Sequence, residues 1–540
     1  MHRKMLTAML AVTFAFGAHA QADYRVVPLP SVITLSDDTP FVLDEGVRIA
    51  VDGSDEAMAR NALFLQSFIE ERTGLCLGIS AGGGKGTIAL AIDGGIQDKE
   101  AYMIRVTSDS IMVMGGSAAG VFYAVQTLGK SLPAREGRQV SITLPAGEVE
   151  DAPRFGWRGM MLDCARHFFP VEFVKEFLDM MALHNMNRFH WHLTDDQGWR
   201  IELKSFPELV AKGSMRSGTV IANNSDVDDG APYGGYYTQE QIRQVVAYAA
   251  ERYISVIPEF DMPGHTSSVL AAYPELGCTG GPYEVGHKWG VYNDVLCMGN
   301  EDIYPLLFGI IDELAELFPA GYLHIGGDET PTVRWEACPK CQAVELAEGE
   351  SLQGQFTRRV EEYVNSKGKR ILGWDELLGS GIGRSTTIMA WRGLQPGKAA
   401  AEAGHDVVLA PLTHCYFDYC QSEDKRYEPS VTGFCVIDVE KVYGLDPMPE
   451  GLSPEAAEHI LGVQANLWTE YMTVPATVEY MALPRMAALA EVQWTNGEKD
   501  YEAFKERLGR LTEIYDGRGW QYAKHLWPDR MVQDRWKIDQ

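Results

Sequence analysis

Acidic and aromatic residues recur where short apolar segments of this chain end. Eight segment ends share this pattern: 163–167, 190–196, 259–265, 324–329, 374–376, 391–392, 416–418 and 468–470. Sugars bind in such surroundings because their hydroxyls donate hydrogen bonds to carboxylates and their apolar C–H faces stack on aromatic rings. If the fold brings these ends together, we expect them to form a cup that binds a carbohydrate.

The pair His190 and His192 allows a second interpretation, because a His-x-His pair at a strand end also holds the metal of some barrel hydrolases. Asp195 and His265 are the candidates for the further ligands of such a site. Residues 190 and 192 share one face of a strand, whereas residue 195 lies on the other. We therefore expect these side chains to diverge and assign no metal and no cofactor. At least one of the two histidines is expected to be a hydrogen-bonded residue of the core.

The segments that carry these ends alternate with amphipathic helical segments over residues 153–500. The predicted strands are 159–166, 186–196, 254–265, 322–329, 370–376, 386–392, 406–419 and 460–470. Between them, Val174, Phe177 and Met181 recur at helical spacing behind Pro170, and Thr238 with Gln241 forms a capping box. Such alternation predicts an α/β fold, a (β/α)₈ TIM barrel, in which all the strand ends meet at one face.

Three regions flank the predicted barrel. Residues 1–20 predict a signal peptide, because Arg3 and Lys4 precede an apolar run too short to span a membrane and Ala18-His19-Ala20 offers a cleavage site. We therefore expect an exported protein, periplasmic or secreted, with an uncleaved anchor as the alternative. Residues 21–152 predict a small α+β domain with strands at 88–92, 102–106 and 109–114 and a helix at 118–128. Residues 501–540 predict a helical tail packed on the barrel.

The net charge limits the classes of molecule that this chain is expected to bind. The formal net charge of −28 disfavours binding to nucleic acid or anionic lipid, and no segment after residue 20 predicts a membrane span.

The nine cysteines are an odd number, and export would permit disulfides. We expect a disulfide between Cys278 and Cys297, which bracket one loop. We expect no zinc at the Cys338-Pro-Lys-Cys341 pair, because no second pair of that spacing accompanies it.

Four motifs resemble those of glycoside hydrolase family 20, the β-N-acetylhexosaminidases. In chain order they are Leu162–Phe168, His190–Trp199, Pro263–Thr266 and His324–Glu329. The similarity extends over about 154 to 495, and the domain ahead of it resembles the one that this family usually carries. The resemblance implies a substrate-assisted mechanism, in which the substrate's own 2-acetamido oxygen attacks C1.

The resemblance also implies roles for individual residues. The catalytic residues would be Glu329 as acid and base, Asp328 as acceptor of the acetamide N–H, Tyr416 as donor to the acetamide oxygen, and Asp195 with His265 as the pair that supports Glu329. The substrate-binding residues would be Trp374, Trp391 and Trp468 around the acetyl group and ring, Arg166 at the 3- and 4-hydroxyls, and Asp418 and Glu470 at the 4- and 6-hydroxyls. Asp424 is an alternative to Asp418, and Asp163 and Asp196 are expected to be scaffold residues.

The expected activity is exo-acting removal of terminal GlcNAc or GalNAc, so the partners would be N-acetylhexosamine-terminated oligosaccharides or glycoconjugates. A disaccharide-releasing relative such as a lacto-N-biosidase is one alternative, and a sugar-binding protein without catalysis is another. The acid pair and Tyr416 argue against lost catalysis. Arg166 and Glu470 favour exo action, because they would bind hydroxyls that an internal sugar uses for its linkage.

Overall fold

The computed structural model describes residues 20–135, 141–221, 227–424, 427–429 and 435–531. Residues 1–19 of the predicted signal peptide lie outside this part of the chain, so the signal peptide stays a prediction. Within the described residues, no helix combines the length and the apolar character that a membrane crossing requires.

The region before the barrel is a twisted sheet covered by two helices. Its seven-stranded sheet runs in the order Val32–Leu35, Gly147–Asp151, Tyr102–Val106, Ser110–Gly115, Thr87–Ile92, Arg48–Ala50 and Gly78–Ser80, and a separate pair joins Phe41–Asp44 to Ser141–Leu144. The helices are Glu56–Thr73 and Ala118–Ser131. Asp55 caps the first by accepting from two backbone N–H groups, and Gly74 ends it in the left-handed conformation. The strands and the helix expected here are present, whereas the helix at 56–73 was not predicted.

Eight parallel strands close into the predicted barrel. They are Trp157–Asp163, Arg188–His192, Ser255–Glu259, Tyr322–His324, Arg370–Trp374, Thr387–Ala390, Val407–Leu409 and Ile460–Leu467. Each lies within or overlaps its predicted segment, and the (β/α)₈ fold is confirmed. The seventh differs most, because the chain leaves the strand at Ala410 and Pro411 starts the short helix Leu412–Cys415. This early exit places Tyr416 on the loop beyond the strand.

Helices of varied length surround the barrel and connect its strands. They are Val171–Leu183, Pro207–Gly213, Gln239–Ala250, Ser267–Ala272, Ile303–Leu317, Val333–Ala337, Pro339–Gln342, Leu352–Ser366, Leu394–Glu402, Leu412–Cys415, Val439–Tyr443, Pro454–Ala457, Pro475–Ala482 and Arg485–Trp494. The capping box of Thr238 and Gln241 is confirmed, with both of its hydrogen bonds formed. Short hairpins pair Thr194–Asp195 with Gly198–Trp199 and Met215–Arg216 with Tyr233–Gly234.

The helix Tyr501–Arg518 joins the barrel to the leading domain, and the short helix Pro528–Met531 follows it. Arg507 pairs with Glu491 of the barrel at 2.9 Å. Arg518 pairs with Glu71 at 2.9 Å, on the first helix of the leading domain. This helix thus contacts the barrel, on which the sequence predicted it to pack, and also the leading domain.

Candidate active site

A cavity of about 350 Å³ opens at the carboxyl ends of the barrel strands, within the usual size of ligand pockets. Nine of the eleven predicted site residues line it: Arg166, His265, Asp328, Glu329, Trp391, Tyr416, Asp418, Trp468 and Glu470. Asp195 and Trp374 are buried directly behind the lining residues, which they contact. Gln197, Trp289 and Tyr419 also line the cavity and were not predicted.

A strained glycine turn presents the two adjacent acids. The fourth strand ends at His324, and Gly326 and Gly327 then take φ values of 66° and 93°. A Cβ on Gly326 would lie 1.7 Å from a carboxylate oxygen of Asp261, so only glycine fits there. Glu329 itself has a φ of 41°, an uncommon conformation for a residue with a side chain. The turn places Asp328 deep in the cavity and leaves the Glu329 side chain 43% exposed at its mouth.

His265 lies between the acid pair and a second pair of carboxylates. Its Nδ1 is 3.3 Å from Asp195 and 3.1 Å from Asp196, while its Nε2 is 3.7 Å from Glu329 and 3.8 Å from Asp328. Burial alone would lower the pKa of His265, but the Asp195 carboxylate and its neighbours raise this pKa well above its usual value. The imidazole therefore carries a proton, and its positive charge faces both acids.

The two acids differ in their pKa. Burial, together with the charges of Glu259 and Glu329, raises the pKa of Asp328 to about 6 against the opposing effect of His265. The nearby protonated imidazole of His265 lowers the pKa of Glu329 below its usual value. Between these two pKa values, the negative charge of the pair therefore resides on Glu329 and the last proton resides on Asp328.

Arg166 is fixed by a set of buried acceptors. Its guanidinium lies 2.7 Å from Asp195, 3.2 Å from Asp163 and 3.0 Å from the Gln197 side-chain oxygen. It also lies over the Trp468 ring, 4.9 Å from the ring centroid. Asp163 accepts from the backbone N–H groups of residues 165 and 166 as well, which agrees with its expected scaffold position. A guanidinium held in this way presents its remaining donors to the cavity in a fixed direction.

Aromatic rings form another part of the cavity wall. The rings of Trp391 and Tyr416 are stacked at 5.9 Å, and Trp374 lies 5.9 Å from Trp468. The Tyr416 ring also lies beside that of Trp468, with their centroids 6.3 Å apart. Burial raises the pKa of Tyr416 well above its usual value, so the phenol remains protonated and can donate. Such a wall suits the apolar faces of a sugar ring and an acetyl group.

A polar layer inside the barrel supports this wall from beneath. One carboxylate oxygen of Glu259 lies 2.8 Å from His324 and accepts from the Trp374 indole N–H, and the other lies 2.9 Å from His190 and contacts His192. His192 also lies 3.0 Å from Asp195, because the chain turns back after the second strand. The expected divergence of His192 and Asp195 was therefore wrong. Ligand atoms of His190, Glu259 and His324 lie within 4.8 Å of one another, with both imidazoles next to the one carboxylate.

The predicted Cys278–Cys297 disulfide is absent, and both residues are free thiols. They meet the thiols of Cys338 and Cys341 instead, so that the four sulfurs lie within 4.8 Å of one another. The sequence prediction failed because it considered only pairs that bracket a single loop.

Known protein families match both parts of the chain. Residues 155–497 match the model described as glycosyl hydrolase family 20, catalytic domain, and residues 23–152 match that of family 20, domain 2. A beta-hexosaminidase of Porphyromonas gingivalis is 39% identical over 511 residues, which cover 92% of this chain and 64% of that protein. A beta-hexosaminidase of Vibrio furnissii is 39% identical over 402 residues, which cover 73% of this chain and 65% of that protein. The chain thus spans slightly less than two thirds of the length of either relative.

Solved structures agree with this fold over nearly the whole chain. The β-N-acetylhexosaminidase of Streptomyces coelicolor superimposes with a TM-score of 0.80 at 31% identity, covering 93% of this chain and 98% of that one. The exo β-N-acetylglucosaminidase of Vibrio harveyi, solved with N-acetylglucosamine, gives a TM-score of 0.81 at 33% identity, covering 94% and 80%. On its family matches, this chain belongs to glycosyl hydrolase family 20.

Proposed function

We propose that this protein is an exo-acting, retaining β-N-acetylhexosaminidase that uses the substrate's 2-acetamido group as its nucleophile. The observation that carries this proposal is the adjacent pair Asp328 and Glu329, which shares one histidine at the mouth of an aromatic-walled cavity. The names of its relatives, beta-hexosaminidases and an exo β-N-acetylglucosaminidase, support the same activity.

The adjacency of the two acids favours an internal nucleophile. Two carboxylates that act as acid and nucleophile must lie on opposite sides of the scissile bond, about 5 to 5.5 Å apart. Asp328 and Glu329 are neighbours on one turn and cannot flank a sugar. In the proposed first step, the acetamide oxygen attacks C1, the bond from C1 to the leaving oxygen breaks, and Glu329 gives its proton to that oxygen. Water then attacks C1 of the oxazolinium ion, loses its proton to Glu329, and reopens the ring with the original anomeric configuration.

Substrate binding must move the proton within the acid pair. The chemistry needs Glu329 protonated and Asp328 charged, which is the reverse of the ligand-free distribution. An acetamide N–H that donates to Asp328 favours its charged form. A leaving group that covers the exposed Glu329 side chain removes water from it and raises its pKa. Binding of a correct substrate thus favours the protonated form of Glu329, the residue that must donate the proton.

The remaining residues would orient the acetamide and select a terminal sugar. Tyr416 would donate to the acetamide oxygen, and Trp391 and Trp468 would enclose the acetyl group. Arg166, held from behind by its carboxylates, would bind the 3- and 4-hydroxyls, with Glu470 and Asp418 at the 4- and 6-hydroxyls. A sugar bound in this manner has no free hydroxyl for a further residue, so we propose terminal GlcNAc or GalNAc as the substrate.

A panel of 4-nitrophenyl glycosides tests the proposal. We expect rapid release of nitrophenol from the β-GlcNAc and β-GalNAc glycosides and very slow release from the glucoside and galactoside, which lack the acetamide. Asp328→Asn, which keeps the shape of the site, is the matched control and should lose the activity. Comparable cleavage of the plain glucoside would refute the internal nucleophile. Preference for a β-lacto-N-bioside would instead show a disaccharide-releasing enzyme.

A further inference from the structure

Four cysteines converge beside the active site, from two separate loops. The sulfur of Cys278 lies 3.7 Å from that of Cys341, and the sulfur of Cys297 lies 3.8 Å from Cys338 and 3.6 Å from Cys341. Cys297, Cys338 and Cys341 are buried, and Cys278 is partly buried. Four thiols enclosed together have few polar partners other than each other or a metal ion.

The spacing of the sulfurs matches a tetrahedral metal site. Zinc held by four cysteines has Zn–S bonds of about 2.3 Å, which at tetrahedral angles puts the sulfurs about 3.8 Å apart. Bonded sulfurs of a disulfide are about 2.05 Å apart. The distances of 3.6 to 3.8 Å around Cys297 and Cys341 agree with the first arrangement.

We propose that Cys278, Cys297, Cys338 and Cys341 bind one zinc ion as four thiolates. Binding releases the four thiol protons to solvent and involves no change of oxidation state. All four positions around the metal are taken by protein, so the site is structural and leaves no position for a substrate or water. Tetrahedral sulfur sites select zinc or iron among the common metals, and a single closed site of this kind suits zinc.

The surrounding backbone is shaped for such a site. Gly299 follows Cys297 by two residues and lies directly against the backbone of Lys340 and Cys341. A Cβ on Gly299 would lie 2.1 Å from the carbonyl carbon of Lys340, so only glycine permits this approach.

The ion would fasten together two walls of the cavity. Cys278 and Cys297 enclose the loop that carries Trp289, whose side chain lines the cavity. Cys338 and Cys341 belong to the segment that follows Glu329. The two segments already meet where the Trp335 indole N–H donates to the Leu296 carbonyl at 2.8 Å. Zinc would turn this contact into a cross-link and hold the Trp289 loop at a fixed distance from the acid pair.

Metal analysis of the full-length protein tests the proposal directly. We expect one zinc ion per chain by inductively coupled plasma mass spectrometry after purification without added metal. Cys297→Ser and Cys341→Ser should lose it, whereas Cys76→Ser, which removes an exposed thiol far from the cluster in sequence, should keep it. Cobalt exchanged into the site should show the thiolate-to-metal charge-transfer band and the visible bands of tetrahedral coordination.

The wild-type protein alone can overturn the proposal, even if the serine variants fail to fold. An intact mass that shows two disulfides among these cysteines would refute it, as would a wild-type protein free of metal or one that binds iron instead. Zinc retained by both serine variants would place the ion elsewhere. A supporting result has a further consequence: removal of zinc by a strong chelator should lower the melting temperature of wild type and leave that of Cys297→Ser unchanged.

Discussion

Replacing Tyr416 by phenylalanine separates positioning of the nucleophile from binding of the sugar. The substitution keeps the ring of this buried residue and deletes the hydroxyl, so the stacking on Trp391 remains. If the hydroxyl aims the acetamide oxygen at C1, its loss lets the oxygen shift, and a displacement of about 1 Å costs about 10²-fold in rate. That factor corresponds to about 2.7 kcal/mol in the barrier. A ground-state hydrogen bond contributes only about 1 kcal/mol, so KM should rise by no more than about fivefold.

Steady-state kinetics on 4-nitrophenyl β-GlcNAc measures this split between kcat and KM. Tyr248→Phe is the matched control, because its hydroxyl bonds to Asp179 on the outer helices. An unchanged kcat in Tyr416→Phe would refute the positioning role, and so would a loss that appears only in KM.

Three further predictions follow from individual titratable groups. Glu329→Gln should lower kcat by about 10²–10⁴-fold on substrates with poor leaving groups and far less on a dinitrophenyl glycoside, and an equal loss on both would remove Glu329 as the acid. The pH profile of kcat/KM should fall on its alkaline side near pH 6, where the last proton leaves the pair of Asp328 and Glu329; a limb near pH 8 would contradict this assignment. Burial lowers the pKa of Lys130 in the folded protein to about 7. Between about pH 7 and 10, Lys130 is therefore protonated in the unfolded chain but neutral in the folded protein. The free energy of unfolding then rises with pH, by up to about 1.4 kcal/mol per pH unit. Lys130→Met should flatten that rise in denaturant titrations, and an unchanged slope would count against it.

The barrel and most of the cavity lining were predictable from local sequence. Strands that alternate with amphipathic helices determine the fold class, and a parallel barrel brings all its carboxyl ends to one face. Polar and aromatic residues such as Arg166, Tyr416 and Trp468 stand at those ends and were therefore expected to meet. Their catalytic roles came from the family resemblance and remain predictions.

Features that depend on where the chain turns back were not predictable. Asp195 reaches His192 because the chain folds into a hairpin beyond the second strand, and alternation along an ideal strand gives the opposite answer. Glu259 ends an apolar strand, and only the closed barrel shows that it gathers three histidines. A carboxylate at the end of an apolar strand was the one available signal.

The cysteines illustrate a different limit of sequence analysis. Cys338 and Cys341 have a spacing typical of zinc sites, but the second pair, Cys278 and Cys297, is spread over a loop. Nothing local indicates that this loop approaches the segment after Glu329. The expectation of no metal rested on the missing second pair, and the structure supplies that pair through tertiary contact.

Affinity for a thiazoline mimic of the cyclised intermediate tests the central claim most directly. The dissociation constants of the thiazoline and of free GlcNAc would be measured by calorimetry for the wild type and for Asp328→Asn, with melting temperatures to confirm folding. Because Asp328 is proposed to stabilise the cyclised acetamide, its charge should matter far more for the thiazoline than for GlcNAc. The account predicts a large loss of thiazoline affinity in Asp328→Asn beside a small change for GlcNAc. Equal losses for the two ligands would contradict it.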